Sequence, residues 1–186
     1  MSIKRLTLAA ATAAAVLVAA PSFAADYLQA AGSSLTFASK YEGEVFTGRF
    51  TGFVTSFSFD PQQLAGAKLD VTIPLASAST ANSDRDDALK GNDFFASGKF
   101  PQARYTATKF RSLGGNQFAA DGTLSLRGVS KPVVLTFTWT PGAKPVLTGK
   151  ATIKRLDFGV GAGDWADTAM IPNEVAVSTK VVFAPK

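Results

Sequence analysis

Apolar residues recur at every second position through most of this chain, and that period commits it to β-sheet. Leu69, Val71 and Ile73 share one side of a segment whose other side is Lys68, Asp70 and Thr72. Phe53, Phe57 and Phe59 alternate with Val54, Ser56 and Ser58, and Phe118, Ala120, Leu124 and Leu126 alternate with Gln117, Asp121, Thr123 and Ser125. Val133, Leu135, Phe137 and Trp139 form a fourth such face, and Val175, Val177, Val181 and Phe183 a fifth. One apolar side and one wet side is the pattern of a half-buried strand, not of a helix. The spacing predicts eight strands, near residues 34–41, 45–59 (bent), 67–75, 103–112, 116–126, 132–140, 145–155 and 173–184.

Turn-forming residues separate these runs: Asp60-Pro61, Gly114-Gly115-Asn116, Gly128 to Pro132, and Pro141-Gly142. Short connections imply antiparallel neighbours. Gly48 and Gly52 inside the long second run predict a bulge or bend, as a closing sheet requires at its corners. The fold class expected is all-β, an eight-stranded antiparallel up-and-down barrel that removes exposed edges by closing on itself. One stretch departs from the period. Residues 83–90 read as a short helix, with Asn82 or Ser83 as its cap, acids in its first turn, Lys90 in its last and Gly91 as its stop.

The amino terminus sets the compartment. Lys4 and Arg5 precede an uncharged run from Leu6 to Ala20, and Ser22 and Ala24 supply the small residues a signal peptidase reads. The run is too short for a spanning helix, which needs about 20 apolar residues. A cleaved secretory leader over residues 1–24 is therefore expected, with one domain over 25–186 and export to the periplasm. The leader holds two of the 19 basic residues and none of the 14 acidic ones, so the mature net charge is +3. That charge is weak and scattered, and it argues against a nucleic-acid partner. The chain has no Cys and no His, which removes disulfides, Ser-His-Asp and Cys-His catalysis and the commonest transition-metal ligand. No metal or cofactor is expected, and no enzymatic activity.

A set of ordered motifs carries a resemblance. Ser34-Leu35-Thr36-Phe37 is followed by Gly48-Arg49-Phe50 with Phe53, then by Phe59-Asp60-Pro61. Ser83 to Leu89 with Arg85-Asp86 precedes Asp93-Phe94-Phe95 and Phe100-Pro101. Gly122 to Pro132 (GTLSLRGVSKP) and Arg155-Leu156-Asp157-Phe158-Gly159 complete the series. In these residues the chain resembles the YceI-like, polyisoprenoid-binding protein family over nearly all of residues 33–183. The resemblance implies a lipocalin-like barrel in the periplasm that holds a long isoprenoid tail, of a polyprenyl lipid or an isoprenoid quinone. Many relatives carry Lys-His after the first strand's Phe, where this sequence has Lys40-Tyr41, so any headgroup contact of that His does not carry over.

Fourteen of the fifteen Phe lie beyond the leader. An eight-stranded barrel is just wide enough to be filled by its own side chains or to hold one small ligand. The resemblance selects the second, with Phe37, Phe50, Phe53, Phe57, Phe94, Phe95, Leu124, Leu126, Leu135, Phe137, Trp139, Phe158 and Trp165 as the lining. Trp165, on a glycine-rich loop, would gate the mouth or plug one end. A five-carbon isoprene unit gains roughly 4 kcal/mol on full burial, against an association cost of about 4–15 kcal/mol, so several units are needed and a short terpene is a poor ligand. Arg127, Lys131 and Arg155 are the cations placed to receive a pyrophosphate or quinone carbonyl. Arg85 with Asp86 and Arg155 with Asp157 are expected to pair at the barrel rim.

Two other readings compete. Asp84, Asp86 and Asp87 supply carboxylates for acid–base work on an isoprenoid lipid, but acids in a first helical turn are what its dipole favours. An outer-membrane barrel of eight strands has about this length, but its lipid-facing positions here would include Lys68, Asp70, Lys150 and Lys180. Stable membrane insertion of the mature chain is not expected.

Overall fold

Alternation does produce strands, and the strands close on one another. The computed structural model describes residues 25–185, so the predicted leader lies outside the described residues. Strands β1 (Ala25–Gln29) and β2 (Ser34–Tyr41) follow each other along one side of the last strand, β11 (Glu174–Pro185). Tyr27 of β1 stands opposite Pro185 and Thr36 of β2 opposite Ser178. Strands β3 (Glu44–Phe50) and β4 (Val54–Phe59) lie in turn on β2 and β1. The wall continues through β5 (Lys68–Pro74), β7 (Gln102–Gly114), β8 (Gln117–Leu126), β9 (Val129–Thr140) and β10 (Val146–Lys154) back to β11. With β1–β2 and β3–β4 each counted as one bent strand, this is a closed, eight-stranded antiparallel barrel. A two-residue strand, β6 (Ala78–Ser79), adds a rung to β3.

The predicted strand at 45–59 is thus two strands. The chain turns a corner at Thr51-Gly52-Phe53, where Gly52 takes the left-handed backbone (φ 73°) that a side chain would resist. Gly48 does not mark a bulge, because the β2–β3 register runs unbroken from Leu35–Phe50 to Tyr41–Glu44. Register irregularities sit instead in β7, between Ala107 and Lys109 and between Ser112 and Gly114, and the first shifts the inward set from Ala103, Tyr105 and Ala107 to Phe110. The β8–β9 turn is shorter than expected. Arg127 (φ 51°) and Gly128 (φ 76°) form a two-residue connection with both φ positive, the geometry that matches strand twist in a hairpin. Pro132 therefore lies inside β9.

Proline cannot donate to a ladder, and β9 accommodates it where one flank is free. The β9–β10 pairing stops at Thr136–Lys150, while β9 runs on to Val129 along β8 and β10 runs on to Lys154 along β11. The two strands diverge beyond that rung.

Helix α1 spans Ser83–Lys90, as the sequence predicts. Its cap is Asn82, whose side chain accepts from the Arg85 N–H at 2.9 Å. The helix and residues 91–101 cover the end of the barrel from which β9 and β10 splay. Asp86 accepts from the Thr80 hydroxyl (2.7 Å) and Thr80 N–H (2.6 Å), which ties the helix to the segment after β6. The expected Arg85–Asp86 pair does not form. Arg85 lies instead over the Phe46 ring, 4.5 Å from its centre, where the ring's negative face attracts the cation.

Candidate functional site

The barrel interior divides into a packed floor and a hollow. At the end where β1 and β4 enter, Tyr27, Phe57, Phe59, Phe110, Phe118, Phe137, Trp139 and Phe183 fill the lumen with rings. Phe57 and Phe59 stack at 4.8 Å, and Phe57 meets Trp139 edge-on at 5.7 Å. Such pairs add about 0.5–1.5 kcal/mol each beyond area burial. Above this floor the same inward faces carry smaller residues, and a cavity of about 200 Å³ opens.

Its wall is carbon almost throughout. Leu35, Phe37, Phe50, Leu69, Leu124, Leu126, Leu135 and Leu147 contribute from the strands, and Leu89, Phe94 and Phe95 close it from α1 and the loop that follows. Val71, Ile73, Val133, Ala151, Ile153, Val175 and Val177 point inward yet stay half-buried, since they face the hollow and not one another. Two of the wall's polar groups are anchored. Tyr105 lays its ring over Gly122, where any side chain would collide with it, and donates to the carbonyls of Ala120 (2.9 Å) and Val133 (3.1 Å). Burial pushes its phenol up to about 12.

Arg155 is the one charged side chain in this wall among the described residues. It is 3% exposed, and its five N–H groups reach five backbone carbonyls: Pro172, Val160, Gly161, Trp165 and Ile171. The guanidinium thereby holds residues 160–172 in a fold over the barrel end, and burial draws its pKa down.

The expected site residues fall into three groups. Phe37, Phe50, Phe94, Phe95, Leu124, Leu126 and Leu135 lie together in the cavity wall. Phe53, Phe57, Phe137 and Trp139 share the inward parity but do not reach the cavity: the last three belong to the aromatic floor, and Phe53 packs at the β3–β4 corner. Phe158 is buried beneath the 3-10 turn Arg155–Phe158, and Trp165 stands one ring behind the wall, 5.6 Å from Phe94. The three cations do not converge as a headgroup site. Arg127 donates to the carbonyls of Asp93, Asn92 and Gly159, Arg155 is fully engaged, and Lys131, though on the same face of β9 as Val133 and opposite Leu124, is exposed beyond the cavity lining. Arg127, within the β8–β9 turn, and Arg155, opening the turn after β10, spend their donors on backbone carbonyls, which the sequence does not display. With the donors of Arg155 spent in this way, the expected pair with Asp157 does not form.

Sequence reasoning missed Thr55. It lies on the inward face between Phe53 and Phe57, is 1% exposed, lines the cavity, and its hydroxyl has no partner.

Residues 27–183 match the model of the YceI-like domain. A UPF0312 protein of Shewanella oneidensis is 32% identical over 149 residues, covering 74% of this chain and 78% of the relative. Among solved structures, BcnA of Burkholderia cenocepacia superposes with a TM-score of 0.79 at 30% identity, covering 82% of this chain and 96% of that one. A polyisoprenoid binding domain from Saccharophagus degradans shares the fold, with a TM-score of 0.67 at 19% identity over 88% of this chain and 99% of that one.

Proposed function

The chain belongs to the YceI-like family, and we propose that it is a periplasmic carrier holding a long isoprenoid chain, of a polyprenyl lipid or an isoprenoid quinone, in its barrel. The observation that carries this reading is the hollow above the aromatic floor. Its wall offers hydrocarbon to a ligand and scarcely anything else, so the ligand's binding energy must come from burying carbon. Several isoprene units at roughly 4 kcal/mol each supply enough to exceed the cost of association. The fold shared with a polyisoprenoid binding domain supports the same ligand class.

The outer face fits a carrier that moves through water. Lys68, Lys150 and Lys180 are exposed there, and Arg104 with Asp70 and Arg111 with Asp121 pair across its strands. A bilayer-spanning barrel needs an outward apolar band at these positions. The polyisoprenoid binding domain that shares the fold supports a binding protein as the reading of the site, and Asp86 of α1 spends its carboxylate on Thr80.

Native purification from the periplasmic fraction, organic extraction and mass spectrometry of the released lipid test the proposal. An isoprenoid of several units in near-stoichiometric amount is expected. Recovery of bulk phospholipid alone would refute it. Amino-terminal sequencing of the same sample is expected to begin at Ala25, and a start at Met1 would refute export by cleavage.

A further inference from the structure

We infer that Thr55 is a polar anchor at the bottom of the cavity, selecting an isoprenoid with an uncharged, hydrogen-bonding head that is buried against the aromatic floor. The inference rests on the isoprenoid reading above and adds the chemistry and placement of the head. Thr55 is one inward step along β4 from Phe57, the ring at the centre of the floor, so its hydroxyl lies at the floor end of the cavity. It is 1% exposed and has neither a donor nor an acceptor for company. Valine has the same shape and would spare the fold an unmatched hydroxyl, which is costly when buried. A hydroxyl kept there has a use when the cavity is filled.

The rest of the wall says which head it meets. A phosphate or pyrophosphate taken to this depth would need cations to replace its hydration. The one cation in the wall, Arg155, has given all five of its N–H groups to carbonyls. A hydroxyl or carbonyl head needs only one hydrogen bond, which Thr55 can donate or accept. A second unpartnered hydroxyl, Ser39, lies farther along β2 from the floor, on a residue that is only half-buried, beside Phe46 near the hairpin end. It stands away from the aromatic floor, so Ser39→Ala is the control that separates the two hydroxyls.

The test measures binding of geranylgeraniol, geranylgeranyl diphosphate and the hydrocarbon of the same skeleton, by quenching of Trp139 and Trp165 fluorescence. Delipidated wild type, Thr55→Val, Thr55→Ser and Ser39→Ala are compared, each with its melting temperature. Wild type is expected to prefer the alcohol over both other ligands. Thr55→Val is expected to melt no lower than wild type and to lose roughly two- to tenfold in affinity for the alcohol alone, the worth of one neutral hydrogen bond. Thr55→Ser should restore that loss and Ser39→Ala should not cause it. If Thr55→Val binds all three ligands as wild type does, or weakens all three equally, the anchor is refuted while the carrier reading stands. If wild type binds none of them, the carrier reading fails and the anchor with it.

Discussion

The ring of Phe37 lies flat across the backbone of Gly48, its cross-strand partner on β3. No side chain fits beneath the ring, so the glycine is what lets this phenylalanine fold back against the barrel wall and leave the lumen open. Phe37 lines the cavity and contacts Phe50 at 5.3 Å, and Phe50 in turn contacts Phe95 at 5.8 Å. The pair therefore sets the cavity's width.

Gly48→Ala is expected to drive the Phe37 ring into the cavity. Overpacking of this kind costs about 1–3 kcal/mol, and the ring would take up space meant for the lipid. Chemical denaturation should report the stability loss, and lipid retained per mole of folded protein should fall. The double variant Gly48→Ala, Phe37→Leu removes the clash and should recover much of both. Unchanged lipid content in Gly48→Ala would show that Phe37 does not limit the cavity.

The positions of strands and the helix were legible because their signals are local. Alternation marked the inward faces, and Asn82 with the acids after it marked α1. β1 escaped notice because Ala25–Gln29 is short, largely exposed and held by pairing to residues far along the chain, Phe59 and Pro185. The site was half legible for a related reason. Parity tells which face a residue occupies but not how far along the barrel axis it sits. Leu135 and Phe137 are adjacent on one inward face, yet one lines the hollow and the other seals its floor. That depth depends on how β4 registers against β1 and β5, which is a long-range property. Thr55 reads locally as an ordinary strand residue, and only the closed barrel shows that its hydroxyl is unmatched.

Floor and wall should separate experimentally. Phe137→Ala removes a ring that meets Phe57, Phe59, Phe110 and Phe118, and a loss of about 3–5 kcal/mol is expected. Val177→Asp places a carboxylate on the half-buried cavity wall, where it can draw in water; the protein should remain folded and lose its lipid. Lys180→Asp, on the exposed face of the same strand, should change stability by no more than about 0.5 kcal/mol and leave lipid content intact. Denaturation midpoints and mass spectrometry of bound lipid supply both readouts. Retained lipid in folded Val177→Asp would place the ligand elsewhere.

Arg155→Lys keeps the charge but offers three donors from a single nitrogen where a planar fork of five was engaged. Carbonyls of residues 160–172 lose their partners in a buried setting, and a destabilisation on the order of 3 kcal/mol is expected. Hydrogen exchange should rise in residues 155–172 before it rises in the strands. Uniform exchange across the barrel would show that this arginine does not organise the loop in particular.

Acid should loosen the covered end of the barrel before neutral pH has any effect on it. Asp86 is held below the ordinary carboxylate value, first by the Thr80 hydroxyl, which outweighs the upward push from burial, and after that by the Thr80 N–H. A carboxyl whose pKa is depressed by folding stabilises the native state above its unfolded value, and that contribution disappears as pH falls through the folded one. The window therefore begins near pH 4, the ordinary aspartate value, and extends downward. Asp121 shifts the same way through Arg111, so wild type should lose stability in acid from both groups. Asp86→Asn should be less stable than wild type at neutral pH, and the gap should close as pH drops. Between about pH 5.5 and 8 the chain has no His or Cys to titrate, and Tyr105 is displaced upward, away from that range. Lipid retention is expected to be flat there in both proteins. Urea denaturation and lipid content measured from about pH 3 to 8 check both limbs, and a gap that stayed constant into acid would show that Asp86 does not act through its charge.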